Sequence, residues 1–309
     1  MIEAKKKVLV TGGAGFIGSH LVDRLVKEGY PVRVIDNLSS GKIENIQHHI
    51  DTNKVEFIKG DIRDATLVNK SVDGVGFVLH LAAIISVPFS MENPDLTFDV
   101  NTQGTHNLLL AAAEKSVEKF VFISSCAVYG DPEVNPVTED IKTNPISPYA
   151  ESKLIGERYC LSFNQSNQLK TVVLRFFNVY GPRQSMNAYS GVITIFINKV
   201  KQKEPLTIYG DGSQTRDFVN VRDIVDGILA SMKTNKTDGE VFNIGSGKPT
   251  SINDLAKAVL ELGNVDLEIK YEKYRTGDIK HSFADITKAR KLLGYEPKVS
   301  LRDGLRELI

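Results

Sequence analysis

The stretch from Lys7 to Gly18, KVLVTGGAGFIG, constrains the fold more than any other part of the chain. The run Lys7-Val8-Leu9-Val10 reads as a short buried strand and passes directly into a cluster of glycines. A helical pattern then opens at Ile17 and continues to about Lys27. Gly13, Gly15 and Gly18 fit G-x-G-x-x-G, and Gly12, Gly15 and Gly18 also fall three residues apart. Glycines at this spacing permit a tight turn and let phosphate groups approach the backbone closely. The helix N-terminus adds free N–H groups and a positive dipole. A glycine pattern alone is weak, and its plain alternative is an ordinary turn. Here the strand and the helix stand on the correct sides, and an acid follows. Asp36 closes the second strand, Val32–Ile35, 18 residues beyond Gly18. A carboxylate there accepts hydrogen bonds from ribose hydroxyls and repels a 2′-phosphate, which favours NAD over NADP. Arg33, on the same strand, is expected to face solvent. Asp61 and Ile62, after the third strand, are placed to bracket the adenine; the plain reading of Asp61 is a solvated turn residue.

The pattern continues as it began. Val55–Ile58, Gly76–His80, Phe120–Ile123 and Thr171–Leu174 read as further strands, and Gln103–Lys115 and Pro148–Gln165 as helices. Strands alternating with helices predict an α/β fold with a Rossmann-type, doubly wound parallel sheet. Beyond Tyr180 the pattern is less regular, with shorter helices expected at Val192–Lys203, Val221–Met232, Ile252–Leu262 and Ile286–Leu293. The expected division is a dinucleotide-binding domain over about 1–180, to which later segments can return, and a smaller substrate-binding lobe over 181–309. No internal repeat or linker interrupts the chain.

Composition narrows the partners. With 38 basic and 38 acidic residues the net charge is zero, so nothing asks for nucleic acid. The tract Lys5–Lys7 precedes an apolar run too short for a signal peptide, and no stretch is long enough to span a membrane. Two cysteines, Cys126 and Cys160, offer neither a disulfide framework nor a metal cluster. They read as free thiols of a cytoplasmic protein, and no metal site is expected.

Ser125, Tyr149 and Lys153 form the sharpest chemical constellation. Tyr149 and Lys153 are four residues apart and share a helix face. An ammonium near a phenol favours the phenolate, which is then a competent base toward an alcohol undergoing oxidation. Ser125 follows a strand and can hydrogen-bond the same hydroxyl. Singly, the Tyr–Lys pair could be a surface coincidence and Ser125 a turn residue; behind a dinucleotide fingerprint the chemical reading prevails.

With these motifs in place the chain resembles the extended short-chain dehydrogenase/reductase family, in particular its NAD-dependent sugar-nucleotide epimerases and dehydratases. The resemblance spans essentially the whole chain. It is carried by Thr11–Gly18, His80–Ala83 (HLAA), Ser124–Gly130 (SSCAVYG), Pro148–Lys153 (PYAESK), Arg175–Arg183 (RFFNVYGPR), Tyr209–Val219 (YGDGSQTRDFV) and Arg275–Asp278 (RTGD). It implies that Phe16 and Ile17 continue the pyrophosphate loop, that Asn37 and the turn Ser39-Ser40-Gly41 hold the adenosine side, and that Leu81, Ala82 and Ala83 line the nicotinamide half. Asn101 and Phe177 match further cofactor contacts. On the substrate side it implies Asn178 toward the phosphates or sugar, Arg216 and Arg275 as a diphosphate clamp, Asp278 on the uridine ribose, and Thr207 and Tyr209 beside the uracil. The planar guanidinium fork independently suits phosphate oxygens; the plain alternative for Arg216 is a surface pair with Asp211 or Asp217. Helices Gln103–Lys115 and Pro148–Gln165 match those that pair in family homodimers.

Two positions depart from neighbouring subfamilies. In the 4,6-dehydratases an acidic pair follows the residue matching Ser125; here Cys126-Ala127 stands there, which disfavours elimination. Seven residues beyond Arg275, where epimerases restricted to plain hexoses carry a bulky residue, this chain has Ser282, which hints at room for an N-acetyl group. The expected reaction is interconversion of UDP-glucose and UDP-galactose, with UDP-GlcNAc and UDP-GalNAc as further candidates, through a 4-keto intermediate. The competing expectations are a UDP-glucuronate 4-epimerase or decarboxylase, an NAD(P)H-dependent keto-sugar reductase, and, from another class, a non-catalytic nucleotide sensor.

Overall fold

Along the first strand the side chains separate the two sides of the molecule. In a computed structural model, which describes residues 5–185, 191–274 and 279–309, β1 is Lys7–Thr11. Val8 and Val10 enter one apolar cluster and Leu9 enters another, as the two-residue period of a strand requires. Both faces are covered, so the strand reads as a continuous apolar run.

The units that follow repeat this arrangement. Helix α1 (Phe16–Lys27), β2 (Val32–Asp36), α2 (Gln47–Asp51), β3 (Val55–Lys59), α3 (Ala65–Val72) and β4 (Val75–His80) build the first half. Two short helices, α4 (Val87–Glu92) and α5 (Pro94–Phe98), lead through a π-type turn at Asp99–Gln103 into α6 (Gly104–Glu114). Next come β5 (Lys119–Ser125), α7 (Pro148–Gln165), β6 (Thr171–Phe176) and β7 (Asn178–Tyr180). The C-terminal part holds α8 (Val192–Gln202), β8 (Leu206–Tyr209), β9 (Thr215–Asn220), α9 (Val221–Lys233), β10 (Glu240–Ile244), β11 (Pro249–Ser251), α10 (Ile252–Gly263), β12 (Ile269–Glu272), β13 (His281–Ser282), α11 (Thr287–Leu293) and α12 (Leu301–Arg306).

The main sheet has seven parallel strands in the order β10-β6-β5-β4-β1-β2-β3. The order reverses between β1 and β4, which opens a crevice at the carboxyl ends of those strands, where dinucleotides bind in doubly wound folds. Helices α1 and α9 cover one face; α3, α6 and α7 cover the other. The seventh strand, β10, comes from the C-terminal part and returns to pair with β6 in register Glu240 to Val172. The same excursion carries α9 onto the sheet beside α1. Sequence periodicity finds α9 but not β10, because Glu240–Ile244 is a short run with a polar asparagine in it.

The smaller lobe has its own core, formed by Ile193, Phe196, Ile208, Phe218, Leu255 and Val259 among others. In β8, Leu206 and Ile208 face this core, leaving Thr207 and Tyr209 half-buried on the other side. Among the described residues no helix is long and apolar enough to cross a membrane.

Candidate active site

The turn between β1 and α1 has almost no room for side chains. Gly12 has φ +69°, and a Cβ on it would lie 2.9 Å from the backbone nitrogen of Ala82. A Cβ on Gly13 would meet Val34 at 2.7 Å, and one on Gly18 would sit 2.1 Å from the Gly12 carbonyl oxygen. Gly15 is the N-cap of α1, and no side chain caps the helix. Phe16 and Ile17 are its first two residues. An uncapped helix start behind a backbone-only turn is a cradle for a diphosphate.

Thr11 fixes the opposite wall. Its Oγ1 accepts from the N–H groups of Leu81 at 3.1 Å and Ala82 at 3.0 Å, and lies 2.7 Å from His80 Nδ1. His80 Nε2 reaches Thr105 Oγ1 at 2.8 Å, and Thr105 donates to the Asn101 carbonyl at 2.6 Å. Complete burial holds the His80 pKa well below its ordinary value, so the ring works as a neutral bridge. This buried chain places Leu81 and Ala82 beside the glycine turn, with Ala83 next in sequence.

Asp36 ends β2 with its carboxylate buried, accepting from Ala14 N at 3.0 Å and Leu38 N at 2.8 Å. Burial raises its pKa, and those two N–H groups pull it back. Gly41 packs so closely that a Cβ there would lie 2.9 Å from Asp36 Oδ2. Asn37 donates to Asp61 at 2.9 Å and its Oδ1 accepts from Ser39 N at 3.0 Å; Ser39 and Ser40 are exposed. Asp61 is held by Arg63, whose hydrogen bonds keep its carboxyl well below the usual range. Ile62 is buried. Asn101 ties the loop after β4 to α7: it accepts from Ile84 N at 2.7 Å and donates to Ile84 O at 2.9 Å and to Ser152 Oγ at 3.0 Å. Phe177 is buried in the main core.

Arg33 does not face solvent as the sequence predicts. It is 9% exposed, donates to the Ser71 and Asp73 carbonyls at 2.8 and 2.7 Å, and pairs with Glu56 at 2.8 Å. Its cation therefore serves the C-terminal end of α3, where unsatisfied carbonyls favour positive charge.

Ser125 is the last residue of β5 and its Oγ accepts from Ala127 N at 3.2 Å. Helix α7 starts at Pro148 behind Ser147, whose hydroxyl accepts from Ala150 N, a standard cap with proline in the first turn. That start sets the phase that buries both Tyr149 and Lys153, at 8% and 4% exposure. Burial pushes the Tyr149 phenol up to about 12, against a hydrogen bond with Ser125 that lowers it. Burial brings the Lys153 ammonium down to about 8, against the charges of Cys160 and Glu157. The sequence-based expectation that Lys153 lowers the phenol's pKa is corrected for the protein alone: desolvation outweighs any such effect, and the ammonium is directed to the Ile123 carbonyl at 2.9 Å. Burial likewise pushes the Cys126 thiol up, to about 12, which disfavours the thiolate.

Sequence reasoning misses a second buried network under the site. Glu157, one turn beyond Lys153, takes both Nε and Nη2 of Arg175 at 2.9 and 2.6 Å and accepts from Ser124 Oγ at 2.5 Å. Arg175 also donates to Tyr129 Oη at 2.9 Å, and Tyr129 donates to Asn243 Oδ1 at 2.6 Å. The signal was present: Tyr149, Lys153 and Glu157 recur every four residues, and an arginine inside an apolar strand needs a partner.

On the lobe side, Asn178 lies on β7, Thr207 and Tyr209 on β8, and Arg216 on β9, all half-buried. Arg216 Nη1 donates to the Thr215 carbonyl at 2.8 Å, and its charge acts on Cys126, so it stands near the end of β5. Asp217 is buried, with its carboxylate accepting from Ser246 N, Gly247 N and Ala284 N. Ser282 is buried and pairs with Arg216 across the β13–β9 ladder. Arg275 and Asp278 lie outside the described residues. An open cleft lined by Lys7, Tyr30 and Glu56 holds none of these residues.

The chain is similar to known proteins over nearly its whole length. Residues 8–245 match the model of the NAD dependent epimerase/dehydratase family. The structure of UDP-glucose 4-epimerase from Thermotoga maritima with UDP-glucose is 42% identical, with 97% of this chain and 96% of that one covered and a TM-score of 0.92. UDP-N-acetylglucosamine 4-epimerase from Methanobrevibacter ruminantium, in complex with UDP-N-acetylmuramic acid, is 39% identical over 99% of this chain and 97% of that one, with a TM-score of 0.94. UDP-glucuronic acid decarboxylase 1 from Xenopus tropicalis is 37% identical over 310 residues, 99% of this chain and 72% of that one.

Proposed function

The chain belongs to the NAD-dependent epimerase/dehydratase family, as an isomerase whose cofactor is NAD, and we propose that it inverts C4 of a UDP-hexose. The observation that carries this reading is the grouping of Ser125, Tyr149 and Lys153 at the carboxyl end of β5, on the same edge of the sheet as the glycine turn after β1, with Cys126 and Ala127 where elimination would need acids. The glycine turn, Asp36 and the Leu81–Ala83 wall are proposed to hold the cofactor. When bound, NAD supplies a reversible hydride acceptor.

Tyr149 takes the proton from the C4 hydroxyl, and Ser125 bridges phenol and substrate. Lys153 holds the Tyr149 helix against β5 and carries positive charge next to the developing phenolate. Arg216, with Arg275 and Asp278, anchors the nucleotide, while Asn178, Thr207 and Tyr209 contact its phosphates and base. Anchoring at a distance keeps the 4-keto sugar bound while the ring turns its other face. Tyr149 then returns the proton, and no external reductant is used.

UDP-glucose and UDP-galactose are the proposed pair. Buried Ser282, a small residue opposite Arg216, favours acceptance of UDP-GlcNAc and UDP-GalNAc as well. The test is product analysis with each UDP-sugar and no added cofactor; UDP-glucuronate in the same assay separates this reading from its runner-up.

We further propose a cytoplasmic homodimer that pairs through α6 and α7. Leu110 is 49% exposed in the middle of α6, an apolar residue left outside the core. Sedimentation at several concentrations tests the pairing: a monomer throughout contradicts it.

A further inference from the structure

Among the described residues, two imidazoles and a carboxylate converge away from the cleft. Asp23 lies in α1, and His48 and His49 are consecutive in α2. His49 Nε2 is 2.7 Å from Asp23 Oδ1, and His48 Nε2 is 3.6 Å from the same oxygen. The two ring centroids are 3.8 Å apart with a tilt of 43°. One ligand atom from each residue lies within 4.8 Å of the other two. Successive side chains on a helix diverge by about 100°, so helix geometry alone does not bring adjacent imidazoles to one oxygen.

We propose that Asp23, His48 and His49 form a binding site for a divalent transition ion, with Zn²⁺ as the representative. Two imidazole nitrogens select such an ion over calcium or magnesium, which take oxygen donors, while a carboxylate oxygen serves either class. Donors at about 2.0–2.1 Å from a tetrahedral centre lie a little over 3 Å apart. The His48 spacing already suits this, and the His49–Asp23 contact opens by about 0.6 Å as the ion takes the place of the hydrogen bond. His49 is nearly buried, at 12% side-chain exposure, and fixes the site. His48 and Asp23 are more open, at 57% and 31%, so water completes the coordination. Arg183 pairs with the second oxygen of Asp23 at 2.8 Å. It orients the carboxylate but opposes an incoming cation. The bound ion ties α2 to α1 without touching the catalytic residues.

The experiment is calorimetric titration of tag-free, chelator-treated protein with Zn²⁺, beside the variants His48→Gln/His49→Gln and Arg183→Gln. The expected result is one equivalent bound by the wild type, and binding weakened at least about tenfold in the double variant. Arg183→Gln keeps all three ligands and is expected to bind more tightly, which no misfolding would mimic. Absence of Zn²⁺ uptake by the wild type, or equal affinity in the double variant, overturns the proposal. Unchanged or weaker affinity in Arg183→Gln removes Asp23 as a ligand and overturns the three-ligand site.

Discussion

Lys153 donates its Nζ to the carbonyl oxygen of Ile123 at 2.9 Å, so the helix that carries Tyr149 is tied to the strand that ends in Ser125. One bond thus sets the spacing between the proposed base and its neighbour. Burial acts on both titrating groups and drives them toward their neutral forms, the phenol up to about 12 and the ammonium down to about 8. In the protein alone, then, the phenol keeps its proton at neutral pH.

The first prediction concerns the phenol. A cationic nicotinamide held along Leu81–Ala83 would stabilise the phenolate and lower the Tyr149 pKa. Ultraviolet difference titration of wild type against Tyr149→Phe, with and without NAD⁺, is expected to show the Tyr149 transition moving to lower pH when NAD⁺ is present. An unmoved transition contradicts the role of the cofactor charge.

Lys153 makes a stability prediction with a definite sign. Its folded pKa, about 8, lies below its ordinary value of 10.5, so between these pH values the unfolded chain holds the extra proton. Stability from this group is fully present above pH 10.5 and is lost as pH falls toward 8. The stability of wild type relative to Lys153→Met is therefore expected to rise from pH 8 to 10. A flat difference in denaturant midpoints contradicts it.

Tyr149→Phe is expected to keep the fold and lose about 10²- to 10⁴-fold in turnover, the usual contribution of a general acid–base group. Near-normal kcat in that variant contradicts the assignment.

Gly18→Ala places a Cβ 2.1 Å from the Gly12 carbonyl oxygen. Overpacking of this kind costs about 1–3 kcal/mol, and the turn must open to accept it. Thermal denaturation and quantitation of co-purifying nucleotide are expected to show both a lower Tm and less NAD. A variant with full NAD content and unchanged Tm contradicts the close-approach account of the turn.

The fold was legible where the period was strong. Strand β1, the glycine turn and helix α7 were all readable because an apolar run, glycine spacing and a helical pattern from Pro148 act locally. Strand β10 was not, since what makes Glu240–Ile244 a strand is the open edge of β6, supplied by residues far away in sequence. Arg33 went astray for a related reason: its place is set by the carbonyls of Ser71 and Asp73, which periodicity cannot see. In the site, residue types and spacing pointed to Ser125, Tyr149 and Lys153. The buried supports, Thr11–His80–Thr105 and Glu157–Arg175–Tyr129, depend on pairings across elements and appear only in three dimensions.

Those supports carry a prediction of their own. Glu157 and Arg175 are 2% and 7% exposed, and Glu157→Gln leaves the guanidinium buried without its counter-charge. Breaking a buried pair from one side costs about 3–5 kcal/mol. Glu157→Gln/Arg175→Met is expected to cost less than the sum of the single variants; strict additivity in denaturant unfolding contradicts the coupling.

The central claim is that this chain inverts C4 of a UDP-hexose with its own NAD. The most direct measurement is incubation of purified protein with UDP-galactose and no added cofactor, followed by chromatography of the products. The account predicts UDP-glucose, approached to the same equilibrium from either side. Absence of conversion even with NAD supplied, while UDP-glucuronate or a keto sugar reacts, contradicts it.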